Sequence, residues 1–267
     1  MPIRPRRYLV TACAASFVLM LSLAGCSDDG VVYENTPTSP ITGNWQVSSS
    51  VTGLPLPNLS GALTGSGTTV TGVLHADATT GCATAEDAIT VTGATDLEGN
   101  TTITGQVAGG TLTIKGGLSA DGRSLEGATY SVSGGQCAFS KAATAMVQNY
   151  SSVTGTYEGN FSDAGGRLIS VVANLTQAPD GDTDGNFELS GTGSFPGNPC
   201  FVSPVSVVNS QVTGGSFTLS YTDSTTGNTV TATGTFSTDG TTLTVTNWTL
   251  TGPCGADSGT GLLAQQS

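Results

Sequence analysis

Five oxygen-bearing side chains alternate through PDGDTDGNFE: Asp180, Asp182, Asp184, Asn186 and Glu188. Oxygens at every second position of a tight loop can converge on a hard cation, and Gly185 permits the bend. Ca²⁺ is therefore the cofactor these residues suggest. The competing reading is a solvated hairpin turn whose carboxylates repel one another. Imidazole chemistry rests on one residue, His75, within TTVTGVLHADA. Its apolar neighbours read as a strand, with His75 a surface or loop-facing side chain at the strand edge and not the base of a Ser-His-Asp relay. Two carboxylate pairs, Glu86 with Asp87 and Asp96 with Glu98, lie close along the chain. Glycoside hydrolysis needs carboxyl groups that face each other across a bond, which proximity in sequence does not provide. GxSxG, GxGxxG, Walker-type and HExxH patterns are absent. No catalytic residue is nominated, and the expectation is a protein that is not an enzyme.

The acid run resembles the opening of an EF-hand loop. It departs from that family at the twelfth position counted from Asp180, where Gly191 replaces the closing glutamate, and no helical pattern flanks it. The other ligand-type residues are Cys82, Cys137, Cys200 and Cys254. In an exported chain four cysteines read as two disulfides with three connectivities. Their spacing selects one. Cys82 to Cys137 is 55 residues and Cys200 to Cys254 is 54, and similar text recurs in order around them. ITGNWQVSSS answers VTGTYEGNFS, and GLSADGRSLEGATYSVSGGQC leads into Cys137 much as GTFSTDGTTLTVTNWTLTGPC leads into Cys254. Duplication of one unit accounts for this order, and it pairs Cys82 with Cys137 and Cys200 with Cys254.

The elements that position these residues are strands. Phe187, Leu189, Gly191, Gly193 and Phe195 alternate with Glu188, Ser190, Thr192 and Ser194; Phe217, Leu219 and Tyr221 with Thr218 and Ser220; Ala128, Tyr130 and Val132 with Thr129, Ser131 and Ser133. A period of two puts the apolar set on one sheet face. Gly99-Asn100, Asp121-Gly122, Gly227-Asn228 and Asp239-Gly240 supply residues that tolerate positive φ, so consecutive strands join as a meander. The count is seven or eight strands per unit. A sheet of that size must close or fold over, and the expected fold is all-β, with two tandem small antiparallel meander barrels and β-sandwiches as the runner-up. The expected division is a first domain over 42–139, a connector over 140–152 with the least strand-like text, and a second domain over 153–267.

Ahead of the first domain, Arg4, Arg6 and Arg7 precede an apolar run from Tyr8 to Gly25, the pattern of a signal peptide over 1–25. Leu23, Ala24, Gly25 and Cys26 resemble the lipobox of bacterial lipoproteins. That resemblance implies cleavage before Cys26, a diacylglyceryl group on its thiol, and commonly a further acyl group such as palmitate on its amine. The chain is then held by lipid with no membrane-spanning helix. Ser27 stands where the family's inner-membrane retention signal has aspartate, which implies the outer membrane. Residues 26–41, polar and carrying two prolines, read as a tether.

All 19 acidic residues follow the cleavage point, against four basic ones, Lys115, Arg123, Lys141 and Arg167, which leaves a net charge of −15. Such a surface repels polyanions and excludes nucleic acid as a partner. The functional expectation is an envelope surface lipoprotein with a binding or structural role toward a protein, a glycan or a small apolar ligand. Its alternatives are a glycan hydrolase and a lipocalin-like carrier. Trp45, Trp248, Tyr157 and Tyr221 are the aromatics whose placement separates a recognition platform from a core.

Overall fold

The computed structural model describes residues 41–84, 87–139, 142–202 and 204–267. The signal peptide, Cys26, most of the tether and Glu86 lie outside the described residues. Within them, alternating apolar text forms strands wherever turn-forming residues bound it, and no helix is present. The first unit runs through β1 (Gly43–Ser48), β2 (Asn58–Ser66), β3 (Thr69–Ala76), β4 (Ile89–Thr95), β5 (Asn100–Val107), β6 (Gly110–Leu118), β7 (Ser124–Ser133), the two-residue β8 (Ala143–Thr144) and β9 (Met146–Tyr150). Each long strand pairs antiparallel with the next, and β9 pairs with both β7 and β1, closing an eight-stranded barrel with β8 alongside β7.

The second unit repeats the plan with β10 (Gly155–Asp163), β11 (Leu168–Gln177), β12 (Phe187–Ser194), β13 (Val205–Val207), β14 (Ser210–Thr213), β15 (Ser216–Thr222), β16 (Thr229–Phe236), β17 (Thr242–Thr251) and β18 (Asp257–Gln265). Strands β13 and β14 together fill one position between β12 and β15, and β18 returns to β10, so this barrel is also closed, antiparallel and eight-stranded. Closure leaves no sheet edge, which resolves the choice between barrel and sandwich.

One boundary needs correction. The segment 140–152 is not a connector between domains: it contains β8 and β9, and β9 is the strand that closes the first barrel. The text of β9 is short and contains neither threonine nor glycine, yet Val147 still points inward and is 2 % exposed. Pairing on both sides made this a strand where local alternation was too brief to mark it.

Each barrel is filled along its axis by its own side chains. In the first, Trp45 and Tyr130 are buried among Leu59, Leu74, Val91, Ile103 and Ile114. Trp45 Nε1 donates to the Ile41 carbonyl at 2.6 Å and the Tyr130 hydroxyl to the Leu56 carbonyl at 2.7 Å. In the second, Tyr157, Phe161, Phe195, Tyr221 and Trp248 form the interior. Phe161 stacks on Trp248 at 5.6 Å and Phe195 meets Tyr221 edge-on at 5.7 Å, geometries that suit the ring quadrupoles. Gly193 makes room for this packing, because a Cβ there would strike the Tyr221 ring at 2.5 Å. Burial pushes the Tyr130 and Tyr157 hydroxyls up to about 12. All four candidate recognition aromatics, Trp45, Trp248, Tyr157 and Tyr221, are therefore core.

Candidate functional site

The cysteines form the two expected bridges. Cys82 and Cys137 are joined with Cα atoms 5.2 Å apart, Cys200 and Cys254 with Cα atoms 5.9 Å apart. Each bridge ties the loop after the third strand of its barrel to the loop before the last, so both lie at one end of their barrel.

The acid run sits in the hairpin between β11 and β12. Asp182 Oδ1 accepts the backbone N–H groups of Asp184 at 2.9 Å and Asn186 at 2.8 Å, while Gly185 N–H donates to the Asp182 carbonyl at 3.0 Å. Gly185 has φ +76, a value open to glycine at no steric cost. The same turn recurs where no acid run exists: Asp96 Oδ1 accepts from Glu98 and Asn100, and Asp163 Oδ1 from Gly165 and Arg167. The aspartate thus serves the backbone of a repeated turn. Asp180 and Glu188 are exposed, and Asn186 accepts from the Thr213 hydroxyl. Among the described residues no three His, Cys, Asp or Glu side chains are grouped to hold a metal ion. Asp96 and Glu98 are likewise joined side chain to backbone in their turn and do not face each other across a cleft, and Asp87 caps Thr84 N–H at 2.8 Å.

That hairpin and the β14–β15 turn lie against the outer face of β2 and β3. The Asn44 amide exchanges two buried hydrogen bonds with the Gly214 backbone, donating at 2.7 Å and accepting at 2.6 Å. The Tyr150 ring meets Phe236 of the second barrel edge-on at 5.3 Å. Gly214 has φ +55, and a Cβ there would meet the Ser60 Cβ at 2.6 Å. Beside this seam is a cleft of about 370 Å³, lined from the first barrel by Ser60, His75 and Asp77 and from the second by Asp184, Asn186 and Gln211, among others.

His75 is 8 % exposed, and neither Nδ1 nor Nε2 has a hydrogen-bond partner. This corrects the expectation of a surface or loop-facing histidine: His75 does point out of its own barrel, but the second barrel covers that face. Ser60, His75 and Asp77 share the face, since Ser60 pairs with His75 across the ladder and Asp77 follows two residues on. They do not form a proton relay. Ser60 Oγ donates to Asp77 Oδ1 at 2.5 Å, Gln46 Nε2 donates to Asp77 Oδ2 at 3.1 Å, and the imidazole takes part in neither bond.

A second concavity, of about 410 Å³, opens at the disulfide end of the first barrel. Buried Ile89 and Val107 line it together with Cys82 and exposed Ala88, Asp87, Gln106 and Gln136. It exists because β5 and β6 are joined by only two residues, Ala108 at φ 47 and Gly109 at φ 77, the backbone of a tight primed hairpin turn. Neither concavity was readable from sequence. The one local signal was Val73, an apolar residue at an outward position of β3, which marks a strand face that something covers.

The family models, the curated proteins and the solved structures with which the chain was compared contain no match to it.

Proposed function

We propose that this chain is a non-catalytic carrier of a small apolar ligand, held at the cell envelope by lipid on Cys26. A closed eight-stranded meander is an architecture shared with small-ligand carriers. The single observation that carries the reading is the concavity of about 410 Å³ at the disulfide end of the first barrel. Its size falls in the range of small-molecule sites, and its lining joins apolar Ala88, Ile89 and Val107 to polar Asp87, Gln106 and Gln136. Because the barrel axis is occupied by Trp45 and Tyr130, the ligand is held at the barrel's end and not along its centre. The anchor reading rests on Leu23, Ala24, Gly25 and Cys26, and Ser27 after the cysteine supports an outer-membrane location.

The test is titration of the protein with the neutral apolar fluorophore N-phenyl-1-naphthylamine. A saturable rise in emission is expected, weakened at least tenfold by Ala88→Trp, which fills the concavity from an exposed position. No rise, or an equal rise in the variant, removes the carrier reading. Mass spectrometry of the mature N-terminus decides the anchor separately: a diacylglyceryl-modified Cys26 as first residue is expected, and an unmodified Cys26 or retained residues 1–25 refutes it.

A further inference from the structure

The cleft between the barrels has no part in the carrier reading, and it contains a group that the fold leaves unfinished. A buried imidazole has one N–H donor and one acceptor nitrogen when neutral. Burying either without a partner is unfavourable, and native chains rarely leave such groups unmatched. His75 has both nitrogens unmatched at the wall of a cleft of about 370 Å³. The arrangement is imposed and not slack, because the buried Asn44–Gly214 exchange and the close approach of Gly214 to Ser60 fix one barrel on the other. None of the described residues completes the imidazole, and the cleft is the open space next to it.

The rest of the wall specifies the visitor's chemistry. No lysine or arginine lines the cleft, so phosphates, carboxylates and sulfates find no cation there and are repelled by Asp77 and Asp184. Asp77 already accepts from Ser60 and Gln46, so both of its oxygens have partners. Of the two carboxylates that line the cleft, only Asp184 has no side-chain hydrogen bond among the described residues, and the Gln211 amide, the imidazole and the hydroxyls of Ser216 and Thr218 line it as well. A wall that mixes donors and acceptors matches a neutral molecule carrying several hydroxyl groups, each of which both donates and accepts. The volume admits a molecule of mono- or disaccharide size. The geometry points to the inter-barrel cleft as a binding site for a neutral saccharide, with His75 hydrogen-bonded to a sugar hydroxyl and Asp184 and Gln211 closing on its neighbours.

His75 is the chain's single histidine, so its imidazole C–H signals in a carbon–proton NMR spectrum need no assignment. The intact chain is titrated with glucose, galactose, mannose, N-acetylglucosamine, maltose and lactose, and in parallel with putrescine as a small cation. At least one sugar is expected to shift the His75 signals saturably. The double variant Asp184→Ala, Gln211→Ala should weaken that binding at least tenfold while leaving the sugar-free His75 signals in place. Both residues are exposed, so folding is not at issue, and far-ultraviolet dichroism verifies it. The proposal is overturned by no shift with any sugar at millimolar concentration, by a shift with putrescine alone, or by unchanged affinity in the double variant. None of these results bears on the fluorophore in the concavity beside Cys82.

Discussion

Among the loops at the disulfide ends of the two barrels, the turn between the fifth and sixth barrel positions shows an informative difference. In the first barrel β5 turns into β6 through Ala108 and Gly109 alone, and a concavity remains beside Cys82. In the second barrel the corresponding turn between β15 and β16 runs from Asp223 to Asn228, and it reaches the bridge. Asn228 Nδ2 donates to the Cys200 carbonyl at 2.7 Å, Asn228 Oδ1 accepts from Cys254 N–H at 3.0 Å, and the Thr226 hydroxyl donates to the same Cys200 carbonyl at 3.0 Å. Asp223 holds the loop from below, accepting Val202 N–H at 2.6 Å, and the backbone bonds it receives, Val202 first, keep its carboxyl below the usual carboxylate range. Duplicated units therefore keep their ladders and bridges while a few residues of turn decide whether an end is open or sealed. Loops tolerate such change because little of the core depends on them.

The largest test of this comparison removes the bridges. Each closes a loop of nearly equal length, 55 and 54 residues, so the chain-entropy contribution is about 4 kcal/mol in both barrels. Paired Cys→Ser replacement at Cys82 and Cys137, or at Cys200 and Cys254, should each lower unfolding free energy by roughly that amount in urea denaturation. Equal losses would show that the sealed end adds nothing once the bridge is gone. A markedly smaller loss in the second barrel would assign the difference to the Asn228 clamp, which still ties Cys200 to Cys254 without a covalent bond.

How far the sequence foretold this molecule follows from what kind of interaction each feature depends on. The ladders of Phe187 to Phe195 and Phe217 to Tyr221 were legible because alternation is local and repeated. The bridges were legible because duplication preserved their spacing. Strand β9 was missed, since its position depends on pairing with β1 and β7, over 90 residues away for β1. His75 was read as a surface or loop-facing side chain, and its surroundings were missed because the cover comes from the other barrel, whose β11–β12 hairpin and β14–β15 turn lie against that face. The acid run looked like a cation loop because Asp182, Asp184 and Asn186 share their types and spacing with one; only the matching turns at Asp96 and Asp163 reveal the backbone job that Asp182 performs.

A smaller contrast lies in the two cores. Tyr130 in the first barrel donates to a buried carbonyl, whereas the Tyr221 hydroxyl in the second is buried with no partner. Tyr130→Phe removes a donor and leaves the Leu56 carbonyl to fewer partners, with a destabilisation of about 1 to 2 kcal/mol. Tyr221→Phe removes an unmatched hydroxyl and should stabilise by about 1 kcal/mol. Opposite signs for one chemical change, read from urea midpoints at constant slope, are the expected outcome. A destabilised Tyr221→Phe would mean that its hydroxyl bonds something the fold does not supply, such as a buried water.

The smallest effect compares equivalent hairpin turns, β6–β7 and β16–β17. Both run Ser-x-Asp-Gly: the Ser119 hydroxyl donates to Asp121 at 2.7 Å and the Ser237 hydroxyl to Asp239 at 2.5 Å, with glycine φ values of 70 and 76. Both carboxyls lie below the usual range, the serine hydrogen bond being the largest cause in each. Asp239 also accepts the Thr241 hydroxyl at 2.8 Å, where the first barrel has Arg123, and its carboxyl is pushed down to about 2. A carboxyl depressed in the folded state contributes stability that is fully present above its ordinary value near 3.8 and is lost as pH falls toward 2. Carboxyl-detected NMR should find Asp239 titrating below Asp121. Thr241→Val should raise Asp239 toward its counterpart without moving Asp121, since it deletes the one hydroxyl that the two turns do not share. If Asp239 stays where it is in that variant, Ser237 and the backbone N–H of residue 241 alone hold the charge, and the two turns are chemically the same device.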